Sequence, residues 1–172
     1  MLNSIPPEHL RALRVLCERL PPAAVNWALT GSLGHRLQGV DVPVHDIDVQ
    51  TDAGGAAKAA DLLPEYVVDR PRPRESERMS SIFGTLMIAD VQVEIMGAVR
   101  KRDRPDAAWG PVTDPAEHRV MVYRFGLAIP VLSLAYEATA YEMIGRHERA
   151  ALLRAAADLR RGSPGKAVDP LA

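Results

Sequence analysis

The chain has 172 residues, 47% of them hydrophobic and 25% charged, a balance that excludes a disordered polymer and suits one ordinary domain with its own core. The formal net charge of −1 gives no global attraction to nucleic acid or to an anionic membrane, so nucleic acid is not the expected partner. Cys17 is the single cysteine, which rules out an intramolecular disulfide and, with no secretion leader or membrane-length apolar run, makes the cytoplasm the expected location.

Residues 6–20 (PPEHLRALRVLCERL) place Leu10, Leu13, Leu16, Cys17 and Leu20 at helical spacing, with prolines in the tolerant first turn and Pro21-Pro22 as a stop. A strand is predicted over Asn26 to Thr30. Gly31-Ser32 then opens a short helix that ends near Gly39. Val44 to Thr51 alternates as a strand, residues 54–63 read as an Ala-rich helix, and Tyr66 to Asp69 as a strand before a polar loop, RPRPRESER. A hairpin comes next, Ile82 to Ile88 and Val91 to Met96 joined at Ala89-Asp90. Residues 100–118, charged and proline-bearing, are expected to form a loop or lid. Two short strands (Arg119 to Tyr123, Leu127 to Ile129) lead to helices from Ser133 to Gly145 and from His147 to Arg160, with Ser133 as N-cap. The expectation is one domain over residues 1–161 and a flexible tail over 162–172. The class is α/β (α+β): a short, mixed, twisted β-sheet flanked by helices.

The chemistry concentrates in His45-Asp46-Ile47-Asp48-Val49. Residues two apart on a strand share a face, about 7 Å apart, so Asp46 and Asp48 would stand together while Ile47 and Val49 enter the core. Two adjacent carboxylates need solvent or a cation, and Mg²⁺ takes one or two of them beside water and phosphate oxygens. Glu94, set between Val93 and Ile95, would add a third if the two strands are neighbours. Three carboxylates can hold two Mg²⁺ about 4 Å apart, which activates an attacking oxygen and steadies a leaving pyrophosphate. Leu29-Thr30-Gly31-Ser32 supplies a turn into a helix N-terminus, a setting that favours phosphate.

The run ALTGSLGHRLQGV…HDIDVQT resembles the signature of the DNA polymerase β nucleotidyltransferase superfamily, most closely its small bacterial members: the minimal nucleotidyltransferases and the lincosamide and aminoglycoside adenylyltransferases. SSIFGTLMIADVQVEIMG resembles the hairpin that carries their third carboxylate, and IPVLSLAYEATAYEMIGR their closing strand and helix. The resemblance implies the nucleotidyltransferase fold, with Asp46 and Asp48 as metal ligands. It makes Glu94 a third ligand or the general base, and gives the triphosphate to Gly31 and Ser32. It also implies transfer of a nucleoside monophosphate, AMP from ATP being the expected case, to a hydroxyl of a small molecule or protein with release of pyrophosphate. Two features depart from it: thirteen residues, Pro43 among them, separate Ser32 from Asp46, and the last helices carry Arg146-His147-Glu148-Arg149 in place of a lysine signature.

Other residues admit two readings. His45 is either an outer contact of the site or surface. The arginines at 70, 72, 74 and 78, and Arg100, Lys101, Arg102 and Arg104, either meet phosphates or form solvated loops. Trp109 either stacks on a ligand or packs over the core edge. Cys17 is expected to be inert core. A competing function is a non-catalytic or antitoxin-like nucleotide-binding or interaction module of the same fold, and a homodimer or protein partner would suit a chain this small.

Overall fold

The computed structural model describes residues 5–162. The tail expected over 162–172 lies, beyond Gly162, outside the described residues. Helix α1 (Pro7–Arg19) buries Ala12, Leu13 and Leu16, and strand β1 (Trp27–Thr30) follows it into the core. The indole of Trp27 donates to the carbonyl of Leu20 at 2.6 Å, so a large apolar ring is buried with its one polar atom satisfied. Helix α2 (Gly31–Leu37), strand β2 (Ile47–Thr51) and helix α3 (Gly55–Leu62) come next. Then come strands β3 (Val67–Glu75), β4 (Met79–Ile88) and β5 (Val91–Lys101). A short helix α4 (Pro115–His118) precedes strands β6 (Arg119–Arg124) and β7 (Leu127–Leu132). Helices α5 (Leu134–Met143) and α6 (His147–Arg161) close the chain.

The strands form one mixed sheet in the order β3-β4-β5-β2-β1-β7-β6. β2 runs parallel to β5 and antiparallel to β1, and β1 runs parallel to β7. The expected class, a mixed sheet flanked by helices, is the observed one. Alternation along the central strands assigns each side chain to one of two faces. Ile47, Val49, Val93 and Ile95 are at most 1% exposed and enter a core shared with Leu13, Leu16, Leu29 and Val131. The residues between them, Asp48, Gln50, Glu94 and Met96, belong to the other face. A smaller cluster of Val40, Val42, Leu134, Ala138, Leu153 and Ala157 holds α5 and α6 against the segment after α2. Ser133 caps α5 by accepting from the Tyr136 N–H at 3.3 Å, as expected for that residue.

Three segments differ from their sequence reading. The stretch read as a polar loop over 70–78 is mostly strand, because β4 extends far enough to pair Arg72 with Phe83 and Arg74 with Ser81. Pro71 and Pro73 are tolerated there since β3 is an edge strand with register shifts. The segment read as a loop or lid over 100–118 begins as strand, and its irregular part is stitched to β5: Gly110 N–H donates to Lys101 O and Thr113 N–H to Val99 O, both at 2.9 Å. The third difference, at residues 44–46, bears on the site. Ala89 and Asp90, with φ of 52° and 64°, make the two-residue turn between β4 and β5 where the sequence set it. Among the described residues no helix is long and apolar enough to cross a membrane.

Candidate active site

Parallel pairing of β2 with β5 sets Asp48 directly beside Glu94. Two acids on neighbouring strands, each between buried apolar residues, thus meet on the face opposite the main core. On its other side Asp48 pairs with Thr30, the last residue of β1. The chain turns away there through Gly31, whose φ is +68°. A Cβ on Gly31 would overlap the Asp48 carboxylate, lying 3.0 Å from its Cγ, so only glycine fits both the backbone angle and the space.

Asp46 is not in the strand. It is exposed, in a bend just before β2, and so does not share a pleated face with Asp48 as the alternation suggested. The reason is local. β1 has ended opposite Asp48, and Pro43 has no N–H for a ladder. The neighbouring backbone groups are taken by side chains: the His45 N–H donates to Ser32 Oγ at 3.2 Å, and the His45 carbonyl accepts from His9 Nε2. Ser32 therefore ties the start of α2 to the Asp46 bend, a role that leaves its hydroxyl proton to donate elsewhere. The structure brings Asp48 and Glu94 together beside Gly31, places Ser32 on the adjoining hollow, and holds Asp46 in an exposed bend just before β2.

A fourth carboxylate, which the spacing did not reveal, lies beneath. Glu137 on α5 is 2% exposed; one oxygen accepts from the Thr30 hydroxyl and the other from His35 Nε2 at 3.0 Å. His35 is itself fully buried, with Tyr141 edge-on at 5.5 Å between ring centroids. The one sequence signal for Glu137 is its place in the first turn of α5, just after the Ser133 cap; His35 carries none.

Burial, then the charges of Glu94, Asp46 and Glu137, push the Asp48 carboxyl up to about 7. Burial, then Glu137 and Asp48, push the Tyr141 phenol up to about 12. A cation between the carboxylates would offset that repulsion, and an all-oxygen donor set suits a hard ion such as Mg²⁺. Among the described residues no group of three His, Cys, Asp or Glu side chains is arranged to hold a metal ion unaided. Asp48 and Glu94 fit the case in which one or two carboxylates bind and water and phosphate oxygens complete the shell.

Two cavities flank these residues. One, of about 250 Å³, is lined by Asp48, Gln50, Glu94, Lys101, Tyr136 and Glu137 among others. The second, a more open hollow of about 700 Å³, has Ser32, His45, Arg146, His147 and Arg149 on its walls. Arg146 and Tyr141 line both. Three of the other candidate cations are engaged by neighbouring side chains. Arg70 pairs with Asp61, Arg74 lies over Phe83 at 4.4 Å, and Arg102 lies over Trp109 at 4.0 Å. Cys17 packs on the core, and burial pushes its thiol up to about 11, so it is inert as expected.

Comparison with known proteins agrees with this fold. A Thermotoga maritima protein described as a candidate nucleotidyltransferase has a crystal structure that superposes with a TM-score of 0.78 at 44% identity, covering 92% of this chain and 97% of the other. The lincosamide antibiotic adenylyltransferase LnuA, solved with lincomycin bound, shares the fold at 13% identity and a TM-score of 0.51, covering 90% of this chain and 99% of the other. Among curated proteins no sequence matches. The family model for aminoglycoside-2''-adenylyltransferases matches residues 12–158, nearly the whole described chain. The chain belongs to the aminoglycoside-2''-adenylyltransferase family and has the nucleotidyltransferase fold.

Proposed function

We propose that the protein is a Mg²⁺-dependent nucleotidyltransferase that moves a nucleoside monophosphate, AMP from ATP in the expected case, onto a hydroxyl and releases pyrophosphate. The observation that carries this reading is the register of Asp48 with Glu94 beside the Gly31 turn, in a family named for adenylyl transfer. In the proposed reaction the acceptor oxygen forms a bond to the α-phosphorus while the bond to the bridging oxygen of pyrophosphate breaks. The hydroxyl proton passes to a carboxylate, for which Glu94 is the assigned base. Asp48 and Glu94, joined by Asp46 once nucleotide is present, are the residues that would hold Mg²⁺. When bound, the metal supplies charge for the developing oxyanion and the leaving group. Ser32, Gly31, Arg146 and Arg149 are assigned to the phosphates, arginine being suited to bidentate phosphate contacts.

LnuA is named for a lincosamide antibiotic and the matching family for aminoglycosides, and a small hydroxyl compound is accordingly the first acceptor class to screen. Pyrophosphate release is the test, with Glu94→Gln as the informative variant. Nucleotide binding retained with release lost supports Glu94 as base, whereas full release in Glu94→Gln contradicts it.

The exposed position of Asp46 favours a second reading, a nucleotide-binding or interaction module without transfer. It differs in outcome: nucleotide binds, no acceptor yields pyrophosphate, and a protein partner co-purifies in fixed ratio.

A further inference from the structure

The two edges of the sheet, β3 and β6, are built differently. β3 carries Pro71 and Pro73, the exposed Arg70, Arg72 and Arg74, and register shifts against β4. Such features keep an edge strand from pairing with another chain. The middle of β6, Val120-Met121-Val122-Tyr123, has neither proline nor charge, and its register with β7 is unbroken over six residues. Val120, Met121 and Tyr123 are exposed, Tyr123 by 64%, and Phe125 extends the apolar patch into the turn.

One bond sets the phase of the β6 backbone. The Ser133 N–H donates to the His118 carbonyl at 2.9 Å, one step beyond the pairing of Arg119 with Leu132. Hydrogen-bonded and non-hydrogen-bonded pairs alternate along an antiparallel ladder. Val120, Val122 and Arg124 therefore bond to β7, and the N–H and C=O groups of Arg119, Met121 and Tyr123 point away from the sheet. The tight turn at Phe125 and Gly126, with φ of 56° and 70°, closes on Arg124 and Leu127 in the same phase. Among the described residues no strand lies on that outer side.

We propose that β6 pairs antiparallel with β6 of a second copy of this chain, joining two seven-stranded sheets across a two-fold axis at Met121. The outward groups are symmetric about Met121, which is what a second copy requires of the strand. The axis sets Met121 against the partner subunit's Met121 and Arg119 against the partner subunit's Tyr123. A shift of register in either direction pairs fewer of the three outward residues. Val122 packs against the main core, and on that face Val120 meets the partner subunit's Val122. No arginine faces an arginine, so β6 complements itself in charge as well as in hydrogen bonding. β7 separates β6 from β1, and self-pairing is independent of nucleotidyl transfer.

Sedimentation equilibrium on the full chain tests the interface, with Met121→Lys and Met121→Glu as variants. The wild type is expected to be a dimer. Each variant sets like charges face to face on the axis and is expected to weaken association about tenfold or more, with the circular dichroism of the fold unchanged. Mixing the two variants is expected to restore a dimer containing one of each, because opposite charges then meet at the axis. A monomeric wild type, a dimer indifferent to both variants, or a mixture that associates no better than either variant alone overturns the proposal.

Discussion

The Cα of Gly31 lies against the carboxylate of Asp48, so close that a methyl group there would overlap it. The turn that ends β1 and the acid on β2 are therefore one steric unit, and the glycine is required by its neighbour as well as by its φ of +68°. Gly31→Ala is expected to lower stability by about 1–3 kcal/mol, the scale of a strained positive-φ residue. It should weaken Mg²⁺–nucleotide binding at least tenfold by displacing Asp48. Urea unfolding and calorimetry on the same samples check both.

Asp48 carries a pH signature in the metal-free protein. Its folded pKa of about 7 lies above the ordinary 3.8, so the folded state holds this proton more tightly than the unfolded chain. Its contribution to stability is full below about pH 4, declines as the pH rises to about 7, and is level beyond. Asp48→Asn removes that loss. The variant is expected to exceed the metal-free wild type in stability by on the order of 3 kcal/mol at pH 8 and by much less at pH 5. Millimolar Mg²⁺ should narrow the gap at pH 8. Thermal unfolding across pH, with and without metal, reads it.

Glu137 and His35 form a buried pair whose partners are each left stranded by truncation of the other. Glu137→Ala is expected to cost about 3–5 kcal/mol, since the Thr30 hydroxyl and the His35 N–H both lose their acceptor in a dry interior. Replacing both, Glu137→Leu with His35→Phe, should cost less than the sum of the single changes. Denaturant midpoints around the double-mutant cycle measure the coupling.

Arg146 borders both cavities and is exposed, so its removal should leave the fold intact. Arg146→Ala is expected to raise the Kd for Mg²⁺–ATP about tenfold, as for the loss of a charged hydrogen bond. Tm should move by less than a few degrees.

What was legible in the sequence depends on the range of each interaction. Alternation around Ile47-Asp48-Val49 and Val93-Glu94-Ile95 is a local property of strands, so the inward apolar residues and the outward acids could be read directly. The register that joins Asp48 to Glu94 is non-local, but the family's order of elements implied it. Asp46 leaves the pleat because His9 and Ser32 capture the backbone of His45, contacts made by side chains from two helices that alternation cannot show. Glu137 with His35 was missed for the same reason. The pair is assembled across the fold, and neither member carries a periodic signal. The arginines of β3 illustrate the converse: a charged, proline-containing run looked like a loop, yet an edge strand accommodates it because only one of its sides must pair.

Calorimetric titration of ATP, with and without Mg²⁺, into the wild type and the Asp46→Asn/Asp48→Asn variant tests the central claim most directly. Metal-dependent binding to the wild type that vanishes in the variant is the expected result. Binding that is indifferent to metal, or that persists in the variant, would contradict the assignment of this site.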